Sequence, residues 1–219
     1  MSPPVQSTAI AERLQLAETL LIGRGSMLEP QDLPGRYGRV VQSIDRVLQA
    51  ADCDSVIAGG WAVWRHGYVG RVTQDVDIVL STGSIEEFMR VAAVSGFQKL
   101  NQLPGRWPKL LHKETDVQVD ILPEGAHPGR PPIFAPTTIP SPAQLGALDH
   151  SLRYIHLPGL IELKLAAGRL KDQADVAELI RINPEQITHI RAHLATVHAQ
   201  YTQNFDALVN ESTRDGSIR

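Results

Sequence analysis

A short apolar run, Ser55-Val56-Ile57-Ala58, stops at Gly59-Gly60, and fifteen residues after Gly60 a second apolar run opens with Asp75-Val76-Asp77. The first reads as a buried strand ending in a glycine turn, with WAVWRHG as a short helix behind it. The second, DVDIVLS over residues 75–81, reads as another strand. Side chains alternate along a strand, so Asp75 and Asp77 share a face with Val79, while Val76, Ile78 and Leu80 point to the core. Two carboxylates about 4 Å apart repel by about 4 kcal/mol at an effective dielectric of about 20. A divalent cation with oxygen preference cancels that repulsion, and magnesium characteristically takes one or two carboxylates together with phosphate oxygens. Glycines at the preceding turn admit close approach of an anionic ligand to backbone N–H groups at a helix start; a plain tight turn uses the same residues.

A third carboxylate interrupts another apolar run, Val117-Gln118-Val119-Asp120-Ile121-Leu122. Aspartate is depleted in strands, so Asp120 calls for a reason beyond structure, unless the strand is an edge or ends there. From Phe97 to Pro123 the pattern turns to strands, and LLHKE and VQVDILP flank Thr115-Asp116 as a hairpin-like pair.

Helical periodicity surrounds these strands. Ile10, Leu14, Ala17, Leu20 and Leu21 predict an amphipathic helix over residues 9–22, and Val40, Val41, Ile44, Val47 and Leu48 a second over 36–51. SIEEFMRVAAVSG has a serine N-cap, early glutamates and a trailing glycine, the start and stop signals of a helix. Between His127 and Pro142 six prolines in sixteen residues demand an irregular, crossing segment. Beyond it LPGLIELKLAAGRLKDQADVAELIRI is helical, with Pro158 in a first turn and Gly168 as a place for the run to break. Asn183-Pro184 starts another helix to about residue 198, and ESTRDGSIR is expected to fray. The order predicts an α+β fold: a small mixed-sheet core over 53–126, preceded by N-terminal helices over 1–52 and followed by a proline-rich crossing segment, 127–157, and a helical C-terminal part, 158–219.

Composition narrows the function classes. With 21 basic against 24 acidic side chains the net charge is −3, which excludes nucleic-acid binding by overall positive charge and leaves only a local basic groove. The single cysteine, Cys53, excludes a disulfide framework and a cysteine-rich zinc module, and its apolar surroundings read as those of a small buried hydrophobe rather than of a catalytic thiol. No apolar run is long enough to span a membrane, and no basic n-region precedes an apolar stretch, so a cytoplasmic location is expected.

Together, Gly59-Gly60, Asp75-x-Asp77 and the isolated Asp120 resemble the nucleotidyltransferase superfamily related to DNA polymerase β, over about residues 55–122. Arg71-Val72-Thr73-Gln74-Asp75-Val76-Asp77 strengthens the likeness, because an Arg-x-Thr-x-Asp-x-Asp run is familiar in minimal bacterial members. The resemblance implies a magnesium-dependent enzyme with a two-ion site and an NTP substrate. Gly59, Gly60, Arg71 and Thr73 would belong to the nucleotide site, Asp75 and Asp77 would bind the ion bridging the triphosphate, and Asp120 would help bind the second and draw the proton from an acceptor hydroxyl. In-line displacement at the α-phosphate would then release pyrophosphate.

A second likeness lies downstream. Lys164, then Arg169-Leu170-Lys171-Asp172-Gln173-Ala174-Asp175, resembles the Lys…Arg-x-Lys-Asp-x-x-Asp signature of abortive-infection nucleotidyltransferase toxins of type IV toxin–antitoxin systems. It implies that Lys164 neutralises the β- and γ-phosphates, that the acceptor is an RNA, and that a cognate antitoxin is a partner. Lys164 and Lys171 are seven apart and share a face if the helix is unbroken. The alternative is a solvated helix laced with Lys–Asp pairs, with Asp172 and Asp175 capping a following helix or holding Lys and Arg side chains in place. Other features carry less. His189 and His193 have zinc-pair spacing but lack further ligands, and Trp61 and Trp64 read as core or pocket wall. Arg65 and His66 lie beside the glycine turn, and Arg106, Trp107, Lys109, His112 and Lys113 form a modest basic stretch that is either surface charge or an RNA contact. Competing functions are adenylylation of a small molecule, as aminoglycoside-modifying enzymes perform, and a non-catalytic nucleotide-binding or partner module.

Overall fold

The computed structural model describes residues 11–12, 14–15, 18–19, 30–33, 35–70, 73–101, 105–130 and 133–214. The helix expected over 9–22 falls mostly outside these; its described residues are helical, and Glu12 meets Arg36 Nε at 3.1 Å. Arg71 also lies outside the described residues. In chain order the elements are α1 (Gly35–Ala50), β1 (Ser55–Ile57), α2 (Gly59–Arg65), β2 (Val76–Leu80), α3 (Ile85–Val94), β3 (Phe97–Lys99), β4 (Lys109–His112), β5 (Val117–Pro123), β6 (Gly129–Arg130), β7 (Ile133–Phe134), β8 (Arg153–Tyr154), α4 (Leu157–Ala167), α5 (Leu170–Ile182), α6 (Ile187–Val197) and α7 (Ala199–Arg214).

Six strands form one mixed sheet in the order β3-β4-β5-β2-β1-β8. The central pair, β2 and β5, runs parallel, as does the edge pair β1 and β8; the other neighbours are antiparallel. Alternation along β2 sets the layers. Val76, Ile78 and Leu80 join Val119 and Ile121 of β5 in a core closed by the α1 stripe (Val40, Val41, Ile44, Val47, Leu48) and by Phe88 of α3. Val79 faces the other way, into a second core with Val56, Leu160 and Ile161 of α4, Val176 and Leu179 of α5, Ile190 of α6 and Phe205 of α7. Burying each aliphatic or aromatic side chain contributes about 1.5–3 kcal/mol. A one-residue slip of β2 would exchange these apolar residues for Asp77, so its register is strongly specified.

Three local features differ from or refine the sequence reading. Gly168 adopts φ +64° and terminates α4, so Lys164 and Lys171 stand on separate helices and share no continuous face. The helix expected from Asn183 is a single turn at Pro184–Gln186 followed by α6, and α7 then continues to Arg214, past the point where fraying was expected. Tyr201 and Phe205 anchor α7 in the second core, and the five residues after Arg214 lie outside the described set. The proline-rich segment is largely irregular, its described residues carrying the short β6–β7 pair, a single turn at Ala143–Leu145 and β8, and backbone bonds from Gly125 to Ile139 and from Ile139 to Ala126, both 2.9 Å, tie it to the end of β5. Among the described residues no helix is long and apolar enough to cross a membrane.

Candidate functional site

Parallel pairing of β2 with β5 sets Asp77 directly opposite Asp120, and Asp75 immediately precedes β2. One carboxylate oxygen from each of Asp75, Asp77 and Asp120 lies within 4.8 Å of the others, and all three residues are half-buried. The hydrophobic alternation that buries Val76 and Ile78 on one face delivers Asp77 to the opposite face, beside a partner strand with the same alternation.

The glycine turn is built around these acids. Gly59 has φ +59°, and a Cβ there would fall 1.7 Å from Asp77 Oδ2. At Gly60 a Cβ would stand 2.8 Å from the Thr73 side chain. Absence of both side chains lets the start of α2 close on the 73–77 segment, where Ala58 N–H donates to the Asp77 carbonyl at 2.8 Å. Thr73 is buried, and its hydroxyl donates to Asp75 Oδ1 at 2.8 Å, fixing that carboxylate.

Asp120 is held from two sides. Gln118, two residues back on the same face of β5, donates to Oδ1 at 2.6 Å. Lys109, opposite Asp120 in the antiparallel β4–β5 register, forms an ion pair with Oδ2. Neither contact was recognised from sequence as part of the site. The hairpin contained the signal: closing His112 on Val117 places Lys109 opposite Asp120.

Lys164, expected at the triphosphate, is held in a buried ion cluster. Its side chain is 5% exposed, and Nζ contacts Asp175 Oδ2 at 2.5 Å and Asp172 Oδ1 at 3.3 Å. Asp172 also accepts from Arg169 Nε at 2.5 Å and Nη2 at 3.1 Å, while the Arg169 side chain remains 57% exposed. Burial pushes the Asp172 carboxyl up, but the Arg169 hydrogen bonds and the Lys164 and Arg169 charges outweigh it and hold the group below the ordinary carboxylate range. Burial likewise disfavours the Arg169 charge. Asp172 overcomes this, Asp77 and Asp175 add to it, and the guanidinium pKa is raised; Arg169 thus lies within the field of Asp77. Lys171 is exposed.

Several of the remaining candidates make contacts within the fold. Trp61 and Trp64 are fully buried, Trp61 edge-on to Tyr37 with ring centres 5.1 Å apart. His66 Nε2 lies 2.8 Å from the Ile155 carbonyl, and the Arg65 guanidinium lies 5.8 Å from the Tyr154 ring centre. His189 is exposed, whereas His193 pairs with buried Glu162 at 2.7 Å. The basic stretch is not a continuous surface: His112 is buried against Thr115 and Lys109 is paired with Asp120, leaving Arg106 and Lys113 exposed. Cys53 is buried, and desolvation, followed by the charges of Asp54, Asp52 and Glu87, pushes its thiol up to about 11.

The acidic cluster offers three hard carboxylate oxygens within 4.8 Å of one another, with Thr73 orienting Asp75. That chemistry fits magnesium or manganese. No family model matches the sequence, and no curated protein matches it. Among solved structures, the chain is similar to ANT(2")-Ia in complex with adenylyl-2"-tobramycin, at 14% identity and a TM-score of 0.42 over 80% of this chain and 97% of that one. It is also similar to the solution structure of the antibiotic-resistance factor ANT(2'')-Ia, at 16% identity and a TM-score of 0.42, over 82% of this chain and 92% of that one. At this degree of likeness nothing about activity passes from those proteins to this chain.

Proposed function

We propose that this protein is a magnesium-dependent nucleotidyltransferase that moves a nucleoside monophosphate from an NTP to an acceptor hydroxyl. The observation that carries the reading is the convergence of Asp75, Asp77 and Asp120 within 4.8 Å beside a glycine turn shaped around Asp77. Three carboxylates brought this close on neighbouring strands destabilise the fold unless positive charge meets them. Asp75 and Asp77 would hold a divalent ion, which when bound supplies positive charge to the triphosphate oxygens and to the charge developing at the α-phosphorus. Asp120, opposite Asp77, receives the proton of the acceptor hydroxyl. The acceptor oxygen bonds to the α-phosphorus while the bond to the α–β bridging oxygen breaks, and pyrophosphate leaves with that oxygen.

Gly59, Gly60 and Thr73 set the carboxylates, and Arg71 would join the nucleotide site from the segment leading into Asp75. The cation offered by the C-terminal helices is Arg169, exposed and within the field of Asp77, with Lys164 behind it holding Asp172 in place. Lys164 therefore serves the nucleotide through Arg169. A small hydroxyl-bearing molecule suits the acceptor better than an RNA. Net charge is −3, the basic stretch around Lys109 is interrupted, and the toxin-like Lys164-to-Asp175 signature meets its own charges internally.

The test is incubation of the protein and magnesium with each α-labelled NTP in turn, against small-molecule, RNA and protein extracts, with Asp77→Asn as control. Label entering the small-molecule pool with wild type alone is the expected result. Label entering RNA would restore the toxin-like reading. Nucleotide binding without label in any pool would turn the assignment to a binding module.

A further inference from the structure

We infer that Lys109 supplies the second positive charge of the acidic cluster, so that the cluster takes one divalent ion, at Asp75 and Asp77, and the Lys109 ammonium stands at Asp120 where a second ion would bind. The inference rests on the metal-dependent reading above and departs from the two-ion arrangement that the family resemblance implies.

Four observations support it. Both oxygens of Asp120 are engaged by donors from the protein itself, Oδ1 by Gln118 at 2.6 Å and Oδ2 by Lys109. The lysine is not a mobile loop residue whose contact is one of many. It lies on β4, paired in register with Asp120 by a hairpin that also matches Leu110 with Val119 and His112 with Val117. Leu110 and Val119 are fully buried next to this pair, so the register cannot slip without exposing the first core. Finally, the charges balance: three carboxylates are matched by one divalent ion and one ammonium. A second divalent ion at Asp120 would have to dislodge Lys109 or sit beside it, repelled by a like charge at short range.

Lys109 is accordingly a positioning residue. It holds the Asp120 carboxylate in place beside Asp77, and Gln118 fixes the rotation of the same carboxylate. The Lys109 side chain is 37% exposed, so its replacement removes a charge without opening a cavity in the core.

Direct counting of ions tests this without any turnover. Mn2+ alone is titrated into the full chain, and bound ions per chain are counted by electron paramagnetic resonance. Wild type is expected to bind one ion with an isolated-ion spectrum. Lys109→Met, and Lys109→Gln as a second variant should the first not fold, are expected to bind two, with the spin–spin broadening of ions about 4 Å apart. Lys109→Arg keeps the charge and is expected to return the count to one. Two ions in wild type, or one in folded Lys109→Met and Lys109→Gln, would overturn the role of Lys109 and leave the metal-dependent reading standing. No Mn2+ bound by wild type at millimolar concentration would remove both.

Discussion

Lys164 divides two accounts of the C-terminal helices, and its replacement by methionine separates them. The methionine keeps most of the stem volume, so the perturbation is the loss of one ammonium held between Asp175 and Asp172, in a side chain only 5% exposed. Removing one partner of a buried ion pair costs about 3–5 kcal/mol, because the carboxylates stay behind in a poorly solvated place. Asp172 retains both contacts from Arg169, which puts the expected loss at the lower end, about 3 kcal/mol. For a chain of this size each kcal/mol moves the melting temperature by about 2–4 °C, so Lys164→Met should melt about 6–12 °C below wild type. The assay is thermal unfolding followed by far-UV circular dichroism at pH 7. Asp175→Asn and the double variant complete a cycle that isolates the Lys164–Asp175 coupling. An unchanged melting temperature together with strongly weakened NTP binding would refute the reasoning, placing the ammonium on the ligand instead of in the buried ion cluster.

Two further outcomes follow from the site and from the hairpin. Gly59→Ala forces an L side chain at φ +59°, which costs roughly 1–2 kcal/mol, and drives its Cβ into the Asp77 carboxylate. Mn2+ affinity measured by titration should fall at least about tenfold, since 1.4 kcal/mol is a factor of ten, whereas an unchanged affinity would mean that Asp77 is not a ligand. His112 lies below its ordinary value of 6.5 chiefly through burial, so the unfolded chain takes up the proton first. Its contribution to stability is intact above pH 6.5 and is lost as pH falls from there toward the depressed value, at up to about 1.4 kcal/mol per unit. Urea midpoints at pH 7.5 and 5.0 should therefore fall further for wild type than for His112→Gln; equal drops would contradict this.

The sequence made the sheet legible where period two was clean. Val76, Ile78 and Leu80 face one core and Val79 the other, as alternation required, and the strand pair around Thr115-Asp116 is a hairpin with Asp116 at φ +56°. Convergence of Asp75 and Asp77 could be read from spacing, and Asp120 from its unlikely position in an apolar strand. What surrounds them could not. The contact between Gly59 and Asp77 depends on how closely α2 approaches β2, and the Lys109–Asp120 pair depends on hairpin register. Strand β8, two residues long, carries too little pattern to be seen before it pairs with β1. Lys164 and Lys171 share helical spacing, but the left-handed Gly168 between them redirects the chain, burying the first in an ion cluster and leaving the second in solvent.

The central claim is that Asp75, Asp77 and Asp120 form one metal-dependent transfer site. It is tested most directly by the rates at which wild type, Asp77→Asn and Asp120→Asn transfer label from an α-labelled NTP to the small-molecule extract, with and without magnesium, after circular dichroism has shown all three folded. Wild type should transfer only with magnesium, and each variant should lose at least about a hundredfold in rate, the scale on which a single group stabilising transition-state charge acts. A folded Asp77→Asn that transfers at the wild-type rate, or wild-type transfer undiminished by removal of divalent ions, would contradict the account.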